Sequence, residues 1–418
     1  MKKNAFYAQS GGVTAVINAS AAGVIEAVAK TTEIDKVFAG RNGIIGALTE
    51  ELIDTSTFSK TTIELLKSTP SGAFGSCRYK LGSFEKNLKE YKRLIEVFEA
   101  HNVGYFFYNG GGDSADTCLK VSKISDNLGY PIKAIHIPKT VDNDLPITDC
   151  SPGFGSVAKY IATSTKEACL DVASMCKTST KIFVLEVMGR HAGWIAAAGG
   201  LADDSSGKLP IVILFPEITF NEGKFLKKIE HYVEKFGYCC VVVSEGLRSR
   251  DGTFLSEQGT TDAFGHAQLG GVAPLISNII SEKLGLKYHW AVSDYLQRSA
   301  GHIASKTDRE QAYAVGREAV KFALEGKNSI MASIVRIRND PYEWKISSVN
   351  LEEVANVEKK LSRNLISEDG FGITPACRSY LEPLISGESY PAFNNGTPKY
   401  LTINNKLVKK RLSQGYLI

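Results

Sequence analysis

The chain has 418 residues, 43% hydrophobic and 22% charged, close to the soluble-protein average, which excludes disordered and fibrous classes. Lysine and arginine number 49 against 45 aspartates and glutamates, and a net charge of +4 on so large a surface predicts no nucleic-acid partner. No stretch approaches the roughly 18 apolar residues of a membrane helix, and the run after Lys2 and Lys3 is too short for a signal peptide. The expectation is a soluble, cytoplasmic protein of two domains with no membrane partner.

The first strand candidate, Ala5–Ala8, ends in Gln9-Ser10-Gly11-Gly12-Val13-Thr14 and opens onto a helix containing Asn18. Two glycines let a backbone approach an anion, and a helix N-terminus offers free N–H groups. The spacing is neither that of a dinucleotide fingerprint nor of a Walker loop, so by itself the segment reads equally as a tight turn. Val37–Ala39 follows as a strand, and Gly72-Ala73-Phe74-Gly75-Ser76-Cys77-Arg78 then sets an arginine on a glycine-rich loop. Phe84, Leu88, Tyr91, Leu94, Ile95 and Phe98 recur at three- and four-residue spacing and predict an amphipathic helix capped by Ser83.

The strand Gly104–Tyr108 ends in Asn109-Gly110-Gly111-Gly112-Asp113-Ser114, again entering a helix. Three successive glycines are costly to order, which makes sense where a bulky anion lies against the backbone. Asp113 would repel such an anion unless a metal or a lysine compensates; an acid in a helix first turn also has an ordinary capping explanation. The strand Ala134–Ile137 ends in Pro138-Lys139-Thr140-Val141-Asp142-Asn143-Asp144. Read chemically, Asp142 is a base, Lys139 a charge stabiliser and Asp144 a partner carboxylate, a set suited to phosphoryl transfer onto a hydroxyl. Read structurally, the same residues make a solvated Asx turn with a salt bridge.

Strands Ile182–Val187, Pro210–Phe215, Tyr238–Val243 and Met331–Val335 complete the series, with a helix carrying Leu226, Ile229, Val233 and Phe236 among them. Three further loops carry Met188-Gly189-Arg190-His191, Ser244-Glu245-Gly246 and Tyr295-Leu296-Gln297-Arg298. Their arginines can grip a phosphate bidentately and Glu245 can accept from sugar hydroxyls, whereas His191 reads as structural. The eight cysteines include no CxxC pair and read as buried free thiols, with Cys239 and Cys240 on opposite faces of a strand. Strand–helix alternation predicts two similar doubly wound, mostly parallel-sheet α/β domains that bind ligands at the carboxyl ends of their strands. Asn394-Asn395-Gly396 before Pro398 predicts a turn in an appended C-terminal segment.

Taken in this order, from the Ser10-Gly11-Gly12 loop to Leu296-Gln297-Arg298, the motifs resemble the phosphofructokinase family over roughly residues 5–330, in its pyrophosphate-dependent branch. The resemblance implies a phosphoryl-donor domain of 1–145 plus about 285–380, a fructose 6-phosphate domain of about 146–284, and an appendage of about 381–418. It also implies a reversible, Mg²⁺-dependent transfer from pyrophosphate to the 1-hydroxyl of fructose 6-phosphate by a homodimer or homotetramer. Asp142 then matches the base, Thr140, Val141 and Asp144 its neighbours, and Met188, Gly189 and Arg190 the sugar-phosphate loop. Glu245 matches the sugar-binding acid, and Tyr295, Leu296, Gln297 and Arg298 the segment closing on the 6-phosphate. Arg78 matches an arginine on the transferred group, and Gly11, Gly12, Gly111, Gly112 and Asp113 match the donor loops.

ATP-dependent relatives carry small residues at the positions of Asp113 and Lys139. A carboxylate about 4 Å from a nucleotide α-phosphate costs on the order of 4 kcal/mol at an effective dielectric of roughly 20. Lys139 would serve the transferring group and the departing phosphate. Many relatives hold the metal with an acid where Gly112 stands, which leaves Asp113, other carboxylates, water or pyrophosphate itself as ligands here. The rivals are an ATP-dependent 6-phosphofructokinase and a non-catalytic sugar-phosphate sensor; the retained Asp142 and Asp144 weigh against the sensor.

Overall fold

The computed structural model describes residues 2–261, 267–402 and 406–418. Its first six strands are β1 (Lys3–Ser10), β2 (Ile34–Gly40), β3 (Leu52–Asp54), β4 (Ser76–Cys77), β5 (Val103–Gly110) and β6 (Lys133–Pro138). Then come β7 (Ile182–Val187), β8 (Ile211–Leu214), β9 (Cys239–Ser244), a ribbon of β10 (Glu257–Thr261) and β11 (Ala267–Leu269), and β12 (Tyr288–Val292). β13 (Ile330–Arg338) and β14 (Glu343–Asn350) follow, and β15 (Phe393–Asn394) pairs with β16 (Thr397–Pro398) around the predicted Asn395-Gly396 turn.

Two sheets result. The larger runs β14-β13-β6-β5-β1-β2-β3, with β4 also on β1, and the smaller runs β12-β7-β9-β8. Pairing is parallel except at the two rims of the large sheet, where β3 and β14 run antiparallel to their neighbours. Seven of the eight residues of β1 are buried, the signature of a parallel strand covered by helices on both faces. Tyr288–Val292, on the donor-domain side of the boundary expected from the sequence, pairs with β7 in the small sheet.

The helices are α1 (Ile17–Ala29), α2 (Ile44–Leu48), α3 (Lys60–Ser68), α4 (Phe84–Ala100), α5 (Gly112–Asn127) and α6 (Phe154–Met175). They continue with α7 (Trp194–Ala198), α8 (Glu222–Phe236), α9 (Val272–Leu284), α10 (Asp294–Ser299), α11 (Lys306–Leu324) and α12 (Pro375–Leu381). α8 starts at Asn221, whose side chain accepts from Lys224 N, and stops at Gly237 in the left-handed region. Ser83 does precede α4 in extended geometry, but its hydroxyl makes no capping bond, which corrects that part of the reading. α1 and α11 pack backbone to backbone: a Cβ on Gly316 would lie 2.1 Å from the Ser20 carbonyl, and one on Gly23 would lie 2.2 Å from that of Tyr313.

Cys239 joins the core between the small sheet and α8–α9, while Cys240 faces the pocket of Cys169 and Val172, so the two do point oppositely. All eight cysteines are free. The two sheets meet along a seam where Arg336 of β13 binds both oxygens of Asp149 at 3.0 Å and the Tyr380 carbonyl at 3.0 Å. Arg378 of α12 binds the carbonyls of Gly200 and Asp203 on the other side. Among the described residues, no helix is long and apolar enough to cross a membrane.

Candidate active site

Chain order leaves β1 in one direction toward β2 and returns on its other side at β5. Loops after β1 and β5 therefore part at this point and open a crevice at the carboxyl edge. β4 pairs with the end of β1, Gln9 opposite Ser76 and Ser10 opposite Cys77, which brings Arg78 beside the glycine loop. Gly11, at φ +73°, is held by its own N–H on the Cys77 carbonyl and by the Ser76 hydroxyl on its carbonyl. Asn18 ties Gln9 to the carbonyls of Thr69 and Ser71, so its work is to brace this loop.

Lys139 emerges from β6 with only 3% of its surface exposed, and its ammonium donates to the Gly12 carbonyl at 2.5 Å. Burial, and next the Arg298 guanidinium, push its pKa down to about 7, against the pull of Asp142 and Asp144. Arg298 lies so close that a Cβ on Gly12 would sit 3.0 Å from its guanidinium, and burial with the nearby Arg78 depresses its pKa as well. Arg298, expected at the sugar 6-phosphate, thus lies against Gly12. Lys139, Arg298 and Arg78 form a basic wall against the side-chain-free backbone of Gly11 and Gly12, an anion site by charge.

Opposite stand the acids. Thr140 pairs across to Gly153, and its hydroxyl accepts from Asp142 N at 3.1 Å, which turns the Asp142 carboxylate inward. Burial first, then the Asp144 and Glu245 carboxylates, push the Asp142 carboxyl up to about 7. Burial raises Asp144 too, with Glu358 acting in the same sense and Lys359 against it. Val141 is buried in the core and contributes backbone here rather than a contacting side chain. From the small sheet, Glu245 accepts from Gly189 N at 3.3 Å and so shapes the Met188-Gly189-Arg190 loop. Gly246 is obligatory beneath it, because a Cβ would meet the Arg190 carbonyl at 2.0 Å. Burial raises the Glu245 carboxyl, with Arg190 pulling the other way.

The segment Tyr295–Arg298 is not a loop but most of α10. Gln297 points in and its side-chain oxygen accepts from Met188 N at 3.3 Å, linking it to the sugar-side loop. Tyr295 and Leu296 point outward, 61% and 66% exposed, and Arg298 stacks on the Tyr295 ring at 3.8 Å.

Asp113 occupies the first turn of α5, with Gly111 as the cap residue and Gly112 leading the helix. The compensating lysine is Lys80, 2.7 Å from Asp113, rather than Lys139. A Cβ on Gly112 would find nothing within 4 Å, so the space before α5 is open. Among the described residues no three acid, histidine or cysteine side chains are grouped to hold a metal. The described side chains therefore offer too few ligands for a metal held by the protein alone.

Sequence reasoning passed over Lys80, Asn143 and Lys359. Asn143 sits fully buried at φ +55°, a conformation asparagine tolerates, and joins Ser151 N to the Tyr380 hydroxyl. An asparagine between two aspartates in a post-strand loop was a visible signal for such a turn. Lys359 comes from more than 200 residues downstream, donates to the carbonyls of Thr148 and Asp149, and is pushed down to about 8 by burial. No local pattern announces it.

Fold and site together define a phosphotransferase: an anion-binding wall of cations beside a bare glycine backbone, and across the crevice a buried carboxylate able to take a proton. The phosphofructokinase family profile matches residues 4–323, and the chain belongs to that family. A pyrophosphate–fructose 6-phosphate 1-phosphotransferase of Methylococcus capsulatus is 63% identical over 417 residues, spanning 100% of this chain and 99% of that one. Another of the same name, from Halomonas elongata, is 63% identical over 412 residues and 98% of each chain. The crystal structure of a pyrophosphate-dependent phosphofructokinase from Nitrosospira multiformis superposes with a TM-score of 0.93 at 63% identity, covering 100% of both chains.

Proposed function

We propose that this chain transfers a phosphoryl group from pyrophosphate to the 1-hydroxyl of fructose 6-phosphate, reversibly, yielding fructose 1,6-bisphosphate and phosphate. The observation that carries the reading is the convergence of Lys139, Arg298 and Arg78 on Gly11–Gly12, with Asp142 beside them. The names borne by full-length relatives at 63% identity support the same donor and acceptor.

In the forward step Asp142 takes the proton of the sugar 1-hydroxyl, whose oxygen attacks the near phosphorus of pyrophosphate. The bond from that phosphorus to the bridging oxygen breaks, and phosphate leaves with its charge met by Lys139 and the arginines. A base so placed contributes about 10²–10⁴-fold. Met188, Gly189, Arg190, Gln297 and Glu245 hold the sugar phosphate on the small-sheet side, and Asp144 keeps Asp142 raised and positioned. Donor at the large sheet and sugar at the small one is the division of labour we assign to the two halves. Magnesium would be carried largely by the pyrophosphate oxygens, with Asp113 in the first turn of α5 as the protein carboxylate we assign to it. Eight free thiols accord with a reducing cytoplasm, where we place a homodimer or homotetramer.

We assign to Asp113, in the first turn of α5 after the glycine loop, the exclusion of a nucleotide. Because Lys80 neutralises it at 2.7 Å, obstruction and hydrogen bonding outweigh bare charge repulsion. With fructose 6-phosphate as acceptor, pyrophosphate supports turnover and ATP gives kcat/KM lower by about a hundredfold or more, the loss that about 3 kcal/mol of exclusion produces. Chelating the divalent cation abolishes turnover. ATP equal to pyrophosphate would overturn the donor assignment.

A further inference from the structure

Asp308 is 2% exposed and stands in the first turn of α11, yet its carboxylate serves a different helix. Its Oδ1 accepts from Gly153 N at 2.8 Å, and its Oδ2 accepts from Ser156 N at 2.9 Å and from the Ser156 hydroxyl at 2.5 Å. Those N–H groups belong to the start of α6, whose N-cap residue is Gly153 and cannot cap itself. The Ser156 hydroxyl in turn accepts from Ser305 N at 3.2 Å, and the Ser305 hydroxyl accepts from Asp308 N. Two long helices thus start at one point, and one buried carboxylate answers the positive ends of both. The fit is close, since a Cβ on Gly155 would lie 2.9 Å from Asp308 Cβ.

Through Gly153 that carboxylate reaches the active site. Gly153 has φ +109°, a conformation that favours glycine, and it pairs in parallel sense with Thr140. A Cβ on it would lie 2.5 Å from Thr14 Cγ2. It is therefore wedged between the loop that bears Asp142 and the loop that bears Gly11 and Gly12. The far half of the Asp142 loop has ties of its own, from Asn143 to Ser151 N and the Tyr380 hydroxyl, and from the Asp144 carbonyl to Lys359 N. At the near end, Lys139 N donates to the Gly110 carbonyl at 3.0 Å. Between these anchors Thr140 holds Asp142 N on its hydroxyl, and Thr140 pairs with Gly153.

We propose that Asp308 is a positioning residue for the transfer: by fixing Gly153 it sets Thr140, and through Thr140 the direction of the Asp142 carboxylate toward the acceptor hydroxyl. The proposal rests on the reading of Asp142 as the base. Asp308 lies behind Gly153 and touches no substrate, so its effect appears in kcat and not in the affinity for either substrate.

The test compares wild type, Asp308→Asn, Asp308→Ser, Ser156→Ala and Asp142→Ser in the full chain, with whichever of pyrophosphate and ATP the wild type uses. Asparagine keeps the outline of the side chain but turns an amide N–H2 toward one of its three donors. Asp308→Asn lowers kcat about tenfold to a hundredfold and leaves the KM values for donor and fructose 6-phosphate within about twofold. It also moves the acid limb of kcat/KM to lower pH, because a displaced Asp142 is better hydrated. The charged groups that face Asp142, which are Asp144 and Lys139 of its own loop and Glu245 of the small sheet, are the same in that variant. Ser156→Ala leaves the carboxylate on Gly153 N, so it lowers the melting temperature but keeps kcat and the acid limb. Asp308→Ser removes the carboxylate without adding bulk, is read as Asp308→Asn is, and decides the matter where the asparagine variant does not fold. An unmoved kcat in the folded Asp308 variants overturns the proposal, and so does a Ser156→Ala enzyme that loses kcat along with its melting temperature. Retained turnover in Asp142→Ser sinks the base reading and leaves kcat of the Asp308 variants to decide whether Asp308 sets the loop. An inactive Asp142→Ser beside fully active Asp308 variants sinks the Asp308 proposal alone.

Discussion

Two groups with pKa values near neutrality face each other in the crevice, and they moved there from opposite directions. Desolvation penalises whichever form is charged, so the Asp142 carboxyl is pushed up to about 7 and the Lys139 ammonium is pushed down to about 7. In the proposed step Asp142 serves as base only when ionised, and Lys139 as anion partner only when protonated. kcat/KM for pyrophosphate therefore falls below pH 7 as Asp142 gains a proton and again above pH 7 as Lys139 loses one, a bell measurable by initial rates. Bound pyrophosphate brings negative charge to the ammonium and moves the alkaline limb of kcat upward. Asp142→Ser cuts turnover by about a hundredfold or more and leaves fructose 6-phosphate affinity, read by calorimetry, nearly unchanged. Retained turnover would take Asp142 out of the mechanism.

At the scale of elements, the parts that hold the crevice open are those with least room for change. α1 follows the glycine loop and is fixed against α11 by contact of backbone with backbone, which only glycine at 23 and 316 permits. Gly316→Ala forces the two helices apart and costs about 1–3 kcal/mol, seen as a lower urea midpoint. An unchanged midpoint would show that the pair has slack. The short β3 and β4 and the antiparallel rim strand β14 fell outside the expected series, whereas eight of the twelve strands of the two sheets were legible because buried parallel strands are short apolar runs bounded by glycine and proline. β12 was not: Trp290 and Val292 are 46% and 40% exposed on a rim strand, and Tyr288-His289-Trp290 carries no apolar run or strict alternation. The Ser83 cap failed for a related reason. Sequence places a serine before a helix, but whether its hydroxyl turns toward a backbone N–H or elsewhere is decided by neighbours.

Over the whole molecule, the seam between the sheets depends on a few charges drawn from distant parts of the chain. Arg336 and Asp149 are 14% and 13% exposed, and Arg336 also stacks on Tyr342 and Tyr380 at 4.7 and 4.6 Å. Arg336→Ala leaves the Asp149 carboxylate with the Tyr342 hydroxyl but no guanidinium, and costs about 3–5 kcal/mol in denaturant unfolding. A loss under about 1 kcal/mol would mark the pair as no more than a surface contact. The sequence by itself carried the strand–helix alternation of the inner strands and singled out the loops and the roles proposed for Asp142 and Lys139, since local periodicity and motif spacing are properties of neighbouring residues. Tertiary structure alone decided that Lys80 answers Asp113, that Arg298 faces Gly12, that Lys359 braces the carboxylate loop and that Glu50 receives the backbone N–H of Leu412. Those pairings join groups between 33 and 362 residues apart, and only the packing of the sheets sets distances of that kind.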